Sequence, residues 1–189
     1  MSETRNPKVP STIIELLSHH NYYDMTFGLD PKFKFIASRA IYKGMLRFIH
    51  QTTGTPYVVQ PLPVQQMNIS YANNDSLHIS WAECVDRLEP TATPTYYIIY
   101  TRTSQLRDGQ WQTSDWDNGI RVTTPHATLP IQRGVKYDIM VRAGNDGGVS
   151  LPSEVLSAYI DAKYDNKLAL IINGFHRVDA PEMFGIDSI

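Results

Sequence analysis

Cysteine is almost absent: the 189 residues hold one, Cys84. Neither an internal disulfide nor a multi-cysteine zinc cluster can therefore brace the chain, and cysteine pairing says nothing of redox compartment. The expected role of Cys84 is that of a small, half-buried hydrophobe just after Trp81. Charge of one sign is equally scarce. Seventeen Lys and Arg stand against 19 Asp and Glu, with a pI near 6.3, so the sequence shows no electrostatic footprint for nucleic acid or an anionic membrane surface. No apolar run approaches the roughly 20 residues of a membrane-spanning helix. The N-terminus carries no basic-then-apolar pattern with a cleavage site, so no signal peptide is expected in this chain. Six histidines are present, His19, His20, His50, His78, His126 and His176, but none forms the His-Glu-x-x-His pattern of a helical zinc site. His19 and His20 are adjacent and would point to opposite faces of a strand. They are read as loop or surface histidines rather than as ligands.

What is present in quantity is alternation. Ser76 to Trp81 reads Ser-Leu-His-Ile-Ser-Trp, with Leu77, Ile79 and Trp81 interleaved by His78 and Ser80. That period of two marks a strand with one buried face. Three further runs keep the period: Tyr96, Ile98 and Tyr100; Ile120 and Val122; and Tyr137, Ile139, Val141 and Ala143. Turn signals at Asp108-Gly109, Asn118-Gly119, Arg133-Gly134 and Asn145 to Gly148 separate them. Strands at such spacing predict a two-sheet antiparallel sandwich.

The same residues carry a resemblance. Ser-Leu-His-Ile-Ser-Trp, Tyr-Tyr-Ile-Ile-Tyr, Thr128-Leu129-Pro130 leading through Gly134 to Tyr137–Asn145, and Ser150-Leu-Pro-Ser153 occur in this order. Together they resemble a fibronectin type III domain running from about Pro61 to Ile160. The resemblance implies a mainly β chain: a seven-stranded antiparallel immunoglobulin-like sandwich with an N-terminal strand-loop-helix arm and a short C-terminal strand or tail. Trp81, Tyr100, Leu129, Tyr137 and Val141 are expected to pack together, with the Tyr137 hydroxyl bonded to nearby backbone as in a tyrosine corner.

Before the sandwich, Met1 to Pro10 is polar and proline-punctuated and reads as irregular. Thr12 to Leu17 is an apolar run broken by Glu15 and reads as a short buried strand. Ser18 to Asp24 follows as a polar loop. Asp30-Pro31 starts a helix, with an N-cap oxygen and a proline at the first helical position, expected to run to about Ile49. Phe33, Ala37, Ala40, Ile41, Met45 and Phe48 recur on one face of it, away from Lys32, Arg39, Lys43 and Arg47. Gln51 to Pro63, with Gly54, Pro56, Pro61 and Pro63, reads as a linker feeding the sandwich.

Val9-Pro10, the Glu15-bearing run, Ser18, Asn21, Asp24, Gly28-Leu29-Asp30-Pro31 and Ala37 to Gly44 look like the last strand, loop and helix of zinc-dependent N-acetylmuramoyl-L-alanine amidases. In that family the strand-borne Glu sits beside the zinc and helps activate water for attack on the muramoyl amide. The resemblance gives that role to Glu15 in a complete parent domain; in this chain alone Glu15 reads as a carboxylate at a strand end touching solvent. A carboxylate suits it, because zinc lowers the pKa of bound water to near 7 and a neighbouring base takes the proton. The family's own zinc ligands, two histidines and a glutamate, are expected on earlier strands that precede this chain. Zinc is thus expected in a parent amidase domain, and no cofactor in this chain alone.

After Ile160, a polar connector leads to Leu168–Ile172 and Asn173-Gly174-Phe175, which read as the first buried strand of an α/β domain. Leu170 to Pro181 is similar to the opening of a domain in large secreted Bacteroidetes proteins labelled xanthan lyase or muramoyl-alanine amidase. His176, Arg177 and Asp179 would be site residues only in that complete domain; the competing reading is ordinary loop chemistry.

The expected organisation is an amidase-like remnant at 1–50, a linker at 51–60, the sandwich at 61–160, and a connector with a truncated start at 161–189. Fold alone gives no function. The sandwich reads first as a spacer between catalytic neighbours of the same polypeptide, in a protein acting on peptidoglycan or another polysaccharide in the periplasm, at the cell surface or outside the cell. The second reading is glycan binding. Trp111 and Trp116 are its candidate contacts, helped by Asp115, Asp117 and Asn118, unless those rings simply cap the open edge. Arg107-Asp108-Gly109 has the wrong order for the integrin-binding tripeptide.

Overall fold

The structure, a computed structural model, describes residues 8, 9, 11–73 and 75–162. The connector beyond Ala162, the strand expected at Leu168–Ile172, and His176, Arg177 and Asp179 lie outside the described residues. The chain divides into two units, one of them Leu46–Ile172 and the other containing Met1–Met45.

The larger unit is the sandwich. Its strands are β1 (Gln65–Asn73), β2 (Ser76–Ala82), β3 (Tyr96–Arg107), β4 (Gln110–Thr113), β5 (Ile120–Val122), β6 (His126–Pro130), β7 (Val135–Asn145), β8 (Gly148–Val149) and β9 (Leu156–Tyr159). One sheet runs β1-β2-β6. The other runs β4-β3-β7-β8, with β5 also on β3 and β9 also on β7. Every pairing is antiparallel.

Nine strands stand where seven were expected, because two edge lanes are each interrupted once. Between the pairs Ser104↔Thr113 and Ile99↔Ile120, residues 114–119 oppose the shorter stretch 100–103. Between Gly144↔Val149 and Ile139↔Leu156, residues 150–155 oppose 140–143. Each lane gains two residues, and each gap is closed in the same way. The Ser114 and Asp117 amides donate to the Thr103 and Thr101 carbonyls, while the Thr103 and Thr101 amides donate to Ser114 Oγ and Asp117 Oδ1. In the second gap, Ser150 and Ser153 donate to Ala143 and Val141, and those amides return to the Ser150 and Ser153 hydroxyls. Side-chain oxygens thus replace the ladder acceptors that the bulges displace.

Between the sheets lie Leu77, Ile79 and Trp81 of β2, Tyr97 and Ile99 of β3, Leu129 of β6, and Ile139, Val141 and Ala143 of β7. Tyr137 packs against this cluster, and its hydroxyl accepts the Gln132 amide at 3.0 Å, giving the expected corner. Tyr100 does not join the core, contrary to expectation. Tyr96 to Tyr100 is apolar on both faces, so period alone cannot choose the inward one. The register with β7 pairs Tyr97 with Ala143 and Ile99 with Val141, which puts Tyr96, Ile98 and Tyr100 outside. Glycines make room for them there. A Cβ at Gly144 would strike the Tyr96 ring, and one at Gly119, held at φ +77°, would strike Ile98 and Tyr100.

From Tyr57 onward the stretch read as a linker is built into the sandwich. Val59, Pro61 and Val64 are buried. Asn145 Nδ2 donates to the carbonyls of Val59 and Thr91, at 2.9 Å each. Buried Glu89 accepts from the Tyr57 hydroxyl at 2.7 Å and from Thr91 at 2.8 Å. Burial, and next the Glu89 carboxylate, push the Tyr57 phenol above its ordinary value.

The N-terminal segment holds α1 (Tyr22–Leu29) and α2 (Pro31–Thr53), the latter passing from one unit into the other. Asp30 caps α2 as predicted, accepting the Lys32 amide at 2.8 Å. Two expectations need correction. Residues 11–18 form no strand, because a single apolar run has no ladder without a neighbouring edge. The polar loop is shorter than expected, since Asn21 accepts the Tyr23 amide and starts α1, with Asp24 reaching back to the Ser18 amide. Neither helix contributes a buried residue. Ile13, Ile14, Leu16, Phe27, Ile36, Met45 and Phe48 are all exposed.

Candidate functional surfaces

Glu15 lies in the irregular segment 11–18, exposed like its neighbours. Nearby, the His19 and His20 rings pack at 3.9 Å on a turn, and Asp24 is engaged with the Ser18 amide. Among the described residues, no three His, Cys, Asp or Glu side chains gather in a set that could hold a metal ion. His78 and His126 face each other from β2 and β6 with rings 6.0 Å apart. Cys84 is half-buried.

Trp111 and Trp116 both stand at the β4–β5 edge, in different states. Trp111, opposite Leu106, is 51% exposed and meets Tyr159 edge-on at 5.9 Å. Trp116, inside the bulge, is half-buried, and the Arg102 guanidinium lies 4.8 Å over its ring. That cation–π contact occupies one face of the ring. Trp111 retains an open surface; Trp116 acts mainly as a cap. Asp117 is spent on the bulge, where it also accepts the Gly119 amide and the Thr101 hydroxyl.

Beside them is a cluster the sequence reading missed. Asp138 is 2% exposed on the outer face of β7. It accepts from Ser157 Oγ at 2.6 Å and Arg102 Nε at 2.9 Å, and pairs with Lys136 Nζ at 3.0 Å. Burial alone would raise its pKa. The Ser157, Lys136 and Arg102 hydrogen bonds outweigh that cost and hold the carboxyl below its ordinary value. On the same face the Arg121 guanidinium lies 3.6 Å from the centre of the Tyr96 ring. The signal that could have found these residues is their even phase on β3 and β7, opposite to the buried odd positions.

No family model and no curated protein matches this chain. Solved structures do. The third fibronectin III domain of human KIAA0343 protein is 13% identical, over 61% of this chain and 94% of that one, with a TM-score of 0.44. The twitchin kinase region from C. elegans is 20% identical over 57% of this chain, with a TM-score of 0.43. Rat CD45 extracellular domains d3-d4 are 16% identical, over 53% and 50%, with a TM-score of 0.41. The chain spans only 18% of the twitchin structure and 18% of a titin kinase structure. Strand order and register, rather than these scores, carry the conclusion that the described residues form a mainly β antiparallel two-sheet sandwich with a helical N-terminal arm.

Proposed function

We propose that the sandwich is an inter-domain spacer in a multidomain bacterial protein acting on the cell wall or another polysaccharide, of the N-acetylmuramoyl-L-alanine amidase or xanthan lyase type. One contrast carries this reading. The sandwich closes its own core, whereas α1 and α2 bury no residue and leave large apolar side chains in solvent. An apolar face of that kind is a surface to be covered, and neighbouring domains of the same polypeptide are the partners proposed to cover it. In this reading residues 1–50 belong to an amidase domain whose zinc ligands lie on earlier strands of the same polypeptide, Glu15 serves there as the base, and the parent acts in the periplasm, at the cell surface or outside the cell.

Zinc binding and muramoyl-alanine amide hydrolysis by the 189-residue chain, with Glu15→Ala as control, test the proposal. A folded chain with no zinc-dependent turnover is expected. Turnover abolished by Glu15→Ala would show that these residues assemble a centre by themselves and would overturn the reading. A second reading, glycan contact through the outer face of the larger sheet, is favoured by the half-exposed Trp111.

A further inference from the structure

The outer face of the β4-β3-β7 sheet differs in charge from the rest of the chain. Register puts Arg121, Ile98 and Arg142 in one row across β5, β3 and β7. Four residues further along β3, Arg102 lies beside Asp138 and Ser157, and the next row holds Ser104, Lys136 and Tyr159. At about 3.4 Å per residue, the two arginine rows stand roughly 14 Å apart. Arg121, Arg142, Arg102 and Lys136 therefore share these rows with Asp138, while Asp115 and Asp117 lie in the bulge at the same edge, on a chain whose net charge is −2.

Each arginine is braced without being used up. Arg102 gives its Nε to Asp138 and Arg142 its Nε to the Ser150 carbonyl at 2.8 Å, while Arg121 rests on Tyr96. A guanidinium offers five N–H donors in a planar fork that matches a carboxylate, and fixing it in advance lowers the entropy cost of that match. The Tyr96 and Trp116 rings already carry a guanidinium on one face, which blocks base stacking there, so the arrangement disfavours single-stranded nucleic acid.

We infer that this face binds an acidic, carboxylate-bearing polysaccharide, with Arg121, Arg142 and Arg102 taking the carboxylates and Trp111 packing on a sugar ring. The inference rests on the glycan-contact reading above and adds the charge of the ligand. The test is titration calorimetry of the full chain with polygalacturonate, with its methyl ester, which keeps the sugar rings and removes the charge, and with oligothymidylate. Polygalacturonate should bind, more weakly as salt rises, and the ester about tenfold or more weaker. The double variant Arg121→Gln/Arg142→Gln should lose about tenfold for polygalacturonate and nothing for the ester. Trp111→Ala should weaken both. Circular dichroism checks that each variant is folded, and Arg121→Lys, which keeps the charge, should retain binding in part. Equal binding of acid and ester would overturn the acidic inference and leave glycan contact standing. Binding of neither would overturn both, and tighter binding of oligothymidylate would replace them with a general polyanion site.

Discussion

Ser150→Ala and Ser114→Ala remove the same bond from two bulges of the same design, and they should differ sharply in cost. Ser150 is fully buried. Its hydroxyl accepts the Ala143 amide at 3.0 Å and donates to the Leu151 carbonyl at 2.7 Å. Without it the Ala143 amide is left in the sandwich interior with no acceptor, a loss of about 2 kcal/mol. Ser114 accepts the Thr103 amide at 3.0 Å at an exposed site, where water takes its place and the loss is about 0.5 kcal/mol. Urea unfolding reads both. With an m-value of about 2 kcal/mol per molar, Ser150→Ala should lower the midpoint by about 1 M and Ser114→Ala by about a quarter of that, with m unchanged. Equal losses, or a larger one for Ser114→Ala, would refute the claim that burial of the rescued amide sets the cost.

Gly119→Ala combines a left-handed backbone with a Cβ driven into Ile98 and Tyr100, and should cost about 2–3 kcal/mol in the same assay. Tyr137→Phe should cost about 1 kcal/mol through loss of the acceptor for the Gln132 amide; an unchanged midpoint would remove the corner from the stability account. Asp138 has a lowered folded-state pKa, so the unfolded chain binds more protons in acid. Its contribution is complete above the ordinary carboxylate range and is lost as pH falls through the lowered folded value. Asp138→Asn should therefore cost about 1–2 kcal/mol near pH 7, after discounting for the solvent that reaches Arg102 and Lys136, and should flatten the acid limb of stability against pH. An acid limb of unchanged slope in the variant would contradict it.

Legibility followed the constraint on each residue. β2 alternates strictly and β7 does so but for Met140, so their buried faces could be read directly from Leu77, Ile79 and Trp81 and from Ile139, Val141 and Ala143. β3 could not, because Tyr96 to Tyr100 is apolar on both faces, and only the β7 register with the notches at Gly119 and Gly144 decides which tyrosine turns in. The bulges are written as Ser114-x-x-Asp117 and Ser150-x-x-Ser153, but such short polar spacings are common and gain meaning only opposite a ladder. The even phase puts Asp138 on the outer face of β7, but its pairing could not be read because Arg102 lies 36 residues away in sequence. Thr12 to Leu17 showed an apolar run that wants an edge, and sequence names the want without naming the partner. Trp111 and Trp116 looked equivalent; Arg102 makes them different.

The sandwich closes its own core, while the arm buries no helix residue, and amide hydrogen exchange on the full chain separates the two. Amides of β2, β3 and β7 should exchange only with global unfolding, and those of residues 11–45 orders of magnitude faster through local opening. Protection of residues 11–45 equal to that of β7 would contradict it, because the arm would then be holding itself together.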